Sequence, residues 1–183
     1  MNHRRNTCGQ AYALSVLTPI RDGQEAPLVR CLNDLPEGTG SPLASVAGTH
    51  IARWVVIGDV VYEGAGQRRP DHLSAGRLLF TSNFDGPLEP YLQRLCTGLA
   101  EVADRIWGHC SGYPGRADPG AFAAYLRSHQ LECSLFFAAY GGRTVEQVEH
   151  SLTTRRDVID FALRAQRMGA AELQSAFRQV FAA

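Results

Sequence analysis

Six histidines, five cysteines and a complete lack of lysine define the chemistry open to this chain. All 18 basic residues are arginine, which excludes a Schiff-base lysine and the lysine of a phosphate-binding loop. His50 and Arg53 lie in the run THIARWVVI, Asn83 in LLFTSNFDG, His109 in WGHCSGYP and Tyr140 in FFAAYGG. A histidine carries protons near neutral pH. An arginine, amide or phenol beside it stabilises negative charge growing on a carbonyl oxygen. His50, Arg53, Asn83, His109 and Tyr140 are therefore the candidate catalytic residues. Each also has a plainer use. His50 suits a strand end, Arg53 a pairing with a second copy, His109 the cap of a helix C-terminus, and Tyr140 a sheet edge. Asp85, two residues after Asn83, suits a helix N-cap. In an extended run with period two, His50 and Arg53 face opposite sides. Trp54, Phe80, Trp107, Tyr113 and Phe137 are candidate lining for a bound apolar molecule, or plain core.

The cysteines stand at 8, 31, 96, 110 and 133, an odd number without CxxC spacing, so neither a disulfide framework nor a zinc ribbon is indicated. The histidines form no HxH, HxxxH or HxxE set with a convincing partner, and no metal site is assigned. The one exception is His109 as an axial ligand, if haem binds. No GxGxxG or P-loop exists to cradle a nucleotide. The formal charge is zero, which argues against nucleic acid as a partner. Arg4-Arg5 and Arg68-Arg69 read as solvated turns. No apolar run approaches the roughly 20 residues of a membrane span, and the polar first ten residues lack a secretory core. These features point to a reducing cytoplasm and no membrane.

The elements that would position these residues follow from periodicity. Residues 1–11 read as a loose arm. Residues 12–20 (YALSVLTPI), 50–62 and 77–84 are rich in β-formers and read as strands. From Pro27 the stripe Leu28, Cys31, Leu32, Leu35 marks an amphipathic helix. A longer helix follows Pro87, with Leu88, Tyr91, Leu92, Leu95, Leu99, Val102 and Ile106 in one continuous stripe. A short helix is expected around 122–129 and a fourth strand over 132–140 (ECSLFFAAY). Thr144 and Gln147 match a capping box opening a helical extension over 144–183. The domain over 12–143 thus has the order βαββαβ, an α+β fold of ferredoxin-like type with helices on one sheet face. Its strands are apolar on both faces: Ile51, Val55 and Ile57 on one side, Trp54 and Val56 on the other. The second face needs a cover, and a second copy in a two-fold dimer supplies one.

The segments LTPI (17–20), THIARWVVI (49–57), LLFTSNFDG (78–86) and AAYGGRTV (138–145) resemble the dimeric α+β barrel superfamily. That group includes antibiotic-biosynthesis monooxygenases, haem-degrading monooxygenases and chlorite dismutases. The resemblance implies a homodimer with a pocket between sheet and helices, and it does not imply one chemistry. The favoured expectation is an enzyme that needs no cofactor. It would oxygenate, cyclise or rearrange a small hydrophobic molecule, aromatic or polyketide-like. The alternatives are a haem protein with His109 as ligand, matched by position only, and a non-catalytic dimer that binds a ligand or docks through its C-terminal helices.

Overall fold

The structure is a computed structural model. It describes every residue except 1, 2, 62, 63, 65, 67, 68, 70, 182 and 183, with side chains left aside at 3, 4, 180 and 181. Tyr62, the expected end of the second strand, and Arg68 therefore lie outside the described residues. The chain divides into two compact units, Met1–Gly142 and Arg143–Ala183.

The first unit is α+β, built on an open antiparallel sheet. Its strands are β1 (Thr7–Cys8), β2 (Ala11–Pro19), β3 (Thr49–Ile57), β4 (Arg77–Asp85) and β5 (Gln130–Leu131). β4 lies between β2 and β3, while β1 and β5 share the far side of β2. Alternation decides which face is core. Leu78, Phe80, Ser82 and Phe84 of β4 are buried, while Arg77, Leu79, Thr81, Asn83 and Asp85 between them are only half-buried. On β3, Ala52, Trp54 and Val56 pack on the core, and Ile51, Arg53 and Val55 stand exposed. One sheet face is thus closed and the other carries apolar side chains in the open.

The helices cover the closed face. They are α1 (Glu25–Asn33), α2 (Leu88–Gly98), α3 (Ala100–Ile106) and α4 (Pro119–Ser128). Leu28, Tyr91, Leu92, Leu95, Leu99, Ile106, Phe122 and Leu126 are almost fully buried. Burial of each such side chain is worth roughly 1.5–3 kcal/mol. The stripe expected from Leu88 to Ile106 is present, but the helix breaks at Leu99. Thr97 and Gly98 propagate a helix poorly. The bare Gly98 also lets the turn at 42–46 approach, since a Cβ there would meet Val46 Cγ2 at 3.2 Å. Asp118 caps α4 by accepting from the Gly120 and Ala121 amides, with Pro119 in the first turn.

Two expectations are corrected at one sheet edge. Residues 132–140 do not form a strand; pairing stops after Gln130↔Val16 and Leu131↔Ser15. To continue, the segment would have to reach Tyr12 and Ala11, which already pair with Thr7 and Cys8. Among the described residues, 3–11 are accordingly no loose arm. Asn6 is buried, donates to Tyr12 Oη and accepts from the Cys133 amide, drawing the chain out of the ladder.

The second unit is helical, with α5 (Val145–Ala165) and α6 (Ala170–Phe181). Both bonds of the Thr144–Gln147 capping box are present, at 3.2 Å each. The Phe161 and Phe177 rings meet edge to face at 5.9 Å. No residue of α5 is buried. No helix among the described residues is long and apolar enough to cross a membrane.

Candidate functional site

β3 does not run in perfect register. Thr49 pairs with Phe84 and Ile51 with Asn83, so His50 is the extra residue of a β-bulge. On either side of it, Thr49 reaches inward to the buried Tyr91 hydroxyl and Ala52 packs on the core. His50 is left on the open side of the sheet, where its Nε2 lies 2.8 Å from Asp85 Oδ1. Both side chains are sheltered, 25% and 16% exposed. An Nε2–H donating to the carboxylate fixes one tautomer and leaves Nδ1 as the atom that can take a proton. The slip also puts Arg53 on the same side as His50, and not opposite as strict alternation predicts.

The frame under this pair is polar and fixed. Tyr91 Oη stands 2.6 Å from Ser82 Oγ and 3.0 Å from Thr49 Oγ1, and burial raises the phenol pKa. The Asp85 amide donates to Gly48 O at 2.9 Å. Gly48 has φ +82°, which glycine alone adopts without strain, so the turn entering the bulge depends on it. A Cβ on Gly48 would lie 3.7 Å from Asp85 Cβ and 3.9 Å from Arg94 Nη2, so a guanidinium stands near the pair. Arg53 is exposed and Asn83 half-buried, and both face the same open surface as Ile51 and Val55.

Other candidates fall elsewhere. Trp54, Phe80 and Trp107 pack against one another in the core. Their rings, with Phe122, interlock at centroid distances of 5.1 to 6.1 Å between sheet and helices. Tyr113 joins the rim of this cluster and donates to Asp104 Oδ1 at 2.9 Å. Phe137 and Tyr140 are 78% and 79% exposed, on the segment that failed to form a strand. Asp85 does not cap α2: Pro87 occupies the N-cap position without a side-chain bond, and Asp85 is engaged with His50.

His109 closes the short turn after α3. Its Nδ1 donates to Gln24 Oε1 at 2.9 Å, and its carbonyl accepts from the Arg21 amide. Burial, then the Arg21 charge, lowers its pKa. These bonds tie the turn to the end of β2, a structural use. A haem would need a broad slot beside the imidazole. The Nδ1 of His109 is held by Gln24 Oε1, which leaves Nε2 as the ring nitrogen open to a ligand. Cys110, next to it, is buried, and burial pushes its thiol up; Cys96 is pushed up to about 12. Neither is an activated nucleophile. Among the described residues no group of three or more His, Cys, Asp or Glu could hold a metal ion. Two surface hollows, one of about 370 Å³ by Tyr12 and Pro87 and one of about 540 Å³ by Ser45 and Glu101, border neither His50 nor His109.

Sequence reasoning missed Asp85 as the partner of His50, because a bulge leaves no mark in a hydrophobic pattern. It also missed Asp59. This carboxylate bonds His72 Nδ1 at 2.6 Å and the Leu73 and Val60 amides at 2.8 Å each, and lies at about pKa 2. No protein-family model matches this chain, and no curated protein or solved structure matches it either.

Proposed function

We propose that this chain is a small-molecule enzyme whose proton carrier is His50, oriented by Asp85, on the open face of the sheet. The observation that carries the reading is the sheltered 2.8 Å contact of His50 Nε2 with Asp85 Oδ1, beside an apolar surface. His50 Nδ1 takes a proton from an acidic C–H or O–H next to a carbonyl. Arg53 and Asn83 face the same surface and offset the charge that develops on the carbonyl oxygen. Such a step opens the way to oxygenation, cyclisation or rearrangement of an aromatic or polyketide-like compound. The pair stands on the open side of the sheet, and the substrate lies there. A second copy laid on that side encloses it and excludes water. The order β5–β2–β4–β3 supports a ferredoxin-like arrangement and, with it, the two-fold barrel.

The test needs no knowledge of the final product. Anthrone- and β-diketone-class probes in deuterated water should exchange their acidic C–H under catalysis by the protein, read by NMR. His50→Gln should slow the protein-dependent exchange by about 10²–10⁴, and Asp85→Asn should also slow it. Wild-type rates in both variants would sink the assignment.

A second reading rests on the second unit. Val148, Leu152, Ile159 and Leu163 of α5 are all more than 40% exposed. A non-catalytic dimer that docks a partner through α5 and α6 fits that observation. Deleting residues 169–183 would then abolish partner capture while the first unit stays folded; capture that survives the deletion rules it out.

A further inference from the structure

α5 is 21 residues long and buries none of them. Every side chain from 146 to 160 is exposed. α6 meets the C-terminal part of α5, where the half-buried Phe161 packs on Phe177. At 3.6 residues per turn, Val148, Leu152, Ile159 and Leu163 fall within about 60° of one another, and Phe161 points the opposite way. The stripe is therefore a separate face from the one that carries Phe161. A helix draws most of its stability from packing such a face against a neighbour.

The middle of the stripe is not apolar. A continuous seam would place one more apolar residue between Leu152 and Ile159, and the chain has Arg155 and Arg156 there, one on each side of the midline. Among the described residues neither guanidinium has a hydrogen bond or an ion pair. These two charges select the occupant. A second copy is a poor one. Antiparallel pairing sets Val148 against Leu163 and Leu152 against Ile159, parallel pairing sets each against itself, and both bring four guanidiniums together at the centre. An anionic membrane is no better, since α5 carries four carboxylates against three arginines and sets two of those arginines within its apolar stripe. Nucleic acid would leave the four apolar side chains in water. An amphipathic helix with apolar residues at the matching spacing, and two carboxylates at its middle, satisfies both parts. Its apolar side chains interdigitate with the stripe, and each carboxylate meets a guanidinium fork where the flanking contacts exclude water. The stripe runs about 23 Å at 1.5 Å per residue, so a partner helix of four turns covers it.

We infer that α5 docks an amphipathic partner helix whose central residues are acidic, with Arg155 and Arg156 as the groups that select it. This deepens the docking reading above and is independent of His50. The test uses the full chain and three labelled amphipathic peptides, identical except for a Glu, Gln or Arg pair at the centre, followed by fluorescence anisotropy. The Glu-centred peptide should bind about 10-fold tighter than the Gln-centred one and about 100-fold tighter than the Arg-centred one. The double variant Arg155→Glu, Arg156→Glu should reverse that order, and Ile159→Asp should weaken the Glu-centred peptide by about 100-fold. All these positions are exposed, so circular dichroism of the variants should match the wild type. If the three peptides bind alike and the charge reversal changes nothing, while Ile159→Asp still abolishes binding, the acidic-helix assignment is overturned and docking through α5 stands. If no peptide binds, the assignment falls, and the deletion of residues 169–183 decides the docking reading by itself. Binding to phosphatidylserine vesicles without binding to the peptides, or a concentration-dependent dimer lost in Ile159→Asp, overturns the assignment in favour of another occupant.

Discussion

Tyr91 shows how much one buried hydroxyl can fix. It is fully buried and bonded to both Ser82 and Thr49, so it clamps β3 to β4 directly beneath the bulge that carries His50. Tyr91→Phe leaves the buried Ser82 without this partner and should cost about 1–3 kcal/mol in a denaturant titration. It should also lower His50-dependent exchange of the probes, because the bulge loses its anchor; a variant as stable as wild type would remove that role. His109 gives a pH signature. Its folded pKa is lowered, so between that value and the unfolded 6.5 the unfolded chain holds more protons. Its contribution is complete above pH 6.5 and is lost as pH falls through the folded value. The drop in melting temperature between pH 7 and pH 5 should be shallower in His109→Gln. Asp59 behaves likewise at lower pH: with a pKa moved from 3.8 to about 2, its ionised bonds to His72, Leu73 and Val60 persist above pH 4 and fail as pH approaches 2. An NMR titration of the Leu73 amide reads that change.

At the level of elements, what was legible in the sequence is what periodicity records. The runs around β2, β3 and β4 announce themselves through β-branched and aromatic residues. The opposite fates of Trp54 and Val56, inside, and Ile51 and Val55, outside, follow from alternation alone. The capping box at Thr144 was readable because both of its partners are local in sequence. Thr144→Ala should cost α5 about 1 kcal/mol, seen as lost far-ultraviolet helicity with the first unit unaffected. What was not legible depends on non-local competition. Nothing within ECSLFFAAY says that Thr7 and Cys8 already hold its place on β2, so the fourth strand was expected at full length. The slip at His50 is equally silent, and with it the pairing to Asp85. Composition equally does not tell whether Trp54 and Trp107 form a wall or a filling; the rings pack on Phe80 and on each other in the core layer.

At the scale of the molecule, the start and end of the first unit are pinned together. Gly9 and Gly141 lie back to back, and a Cβ on Gly9 would strike the Gly141 carbonyl. Gly9 also has φ +62°. Gly9→Ala should therefore disrupt both the β1 hairpin and the course of residues 132–141, and limited proteolysis within that stretch should accelerate. Cleavage at the wild-type rate would show that the two termini of the unit are not coupled.

The aromatic cluster has one more consequence. Both tryptophans of the chain, Trp54 and Trp107, sit in it with ring centroids 6.1 Å apart, and no tryptophan or tyrosine follows Tyr140. Indole emission is therefore a private optical channel of the first unit, blue-shifted while the core is dry and blind to α5 and α6. Circular dichroism sees every helix. If the two units melt independently, the fluorescence and ellipticity curves of one heated sample will separate, and their difference traces the unit that emits no indole light.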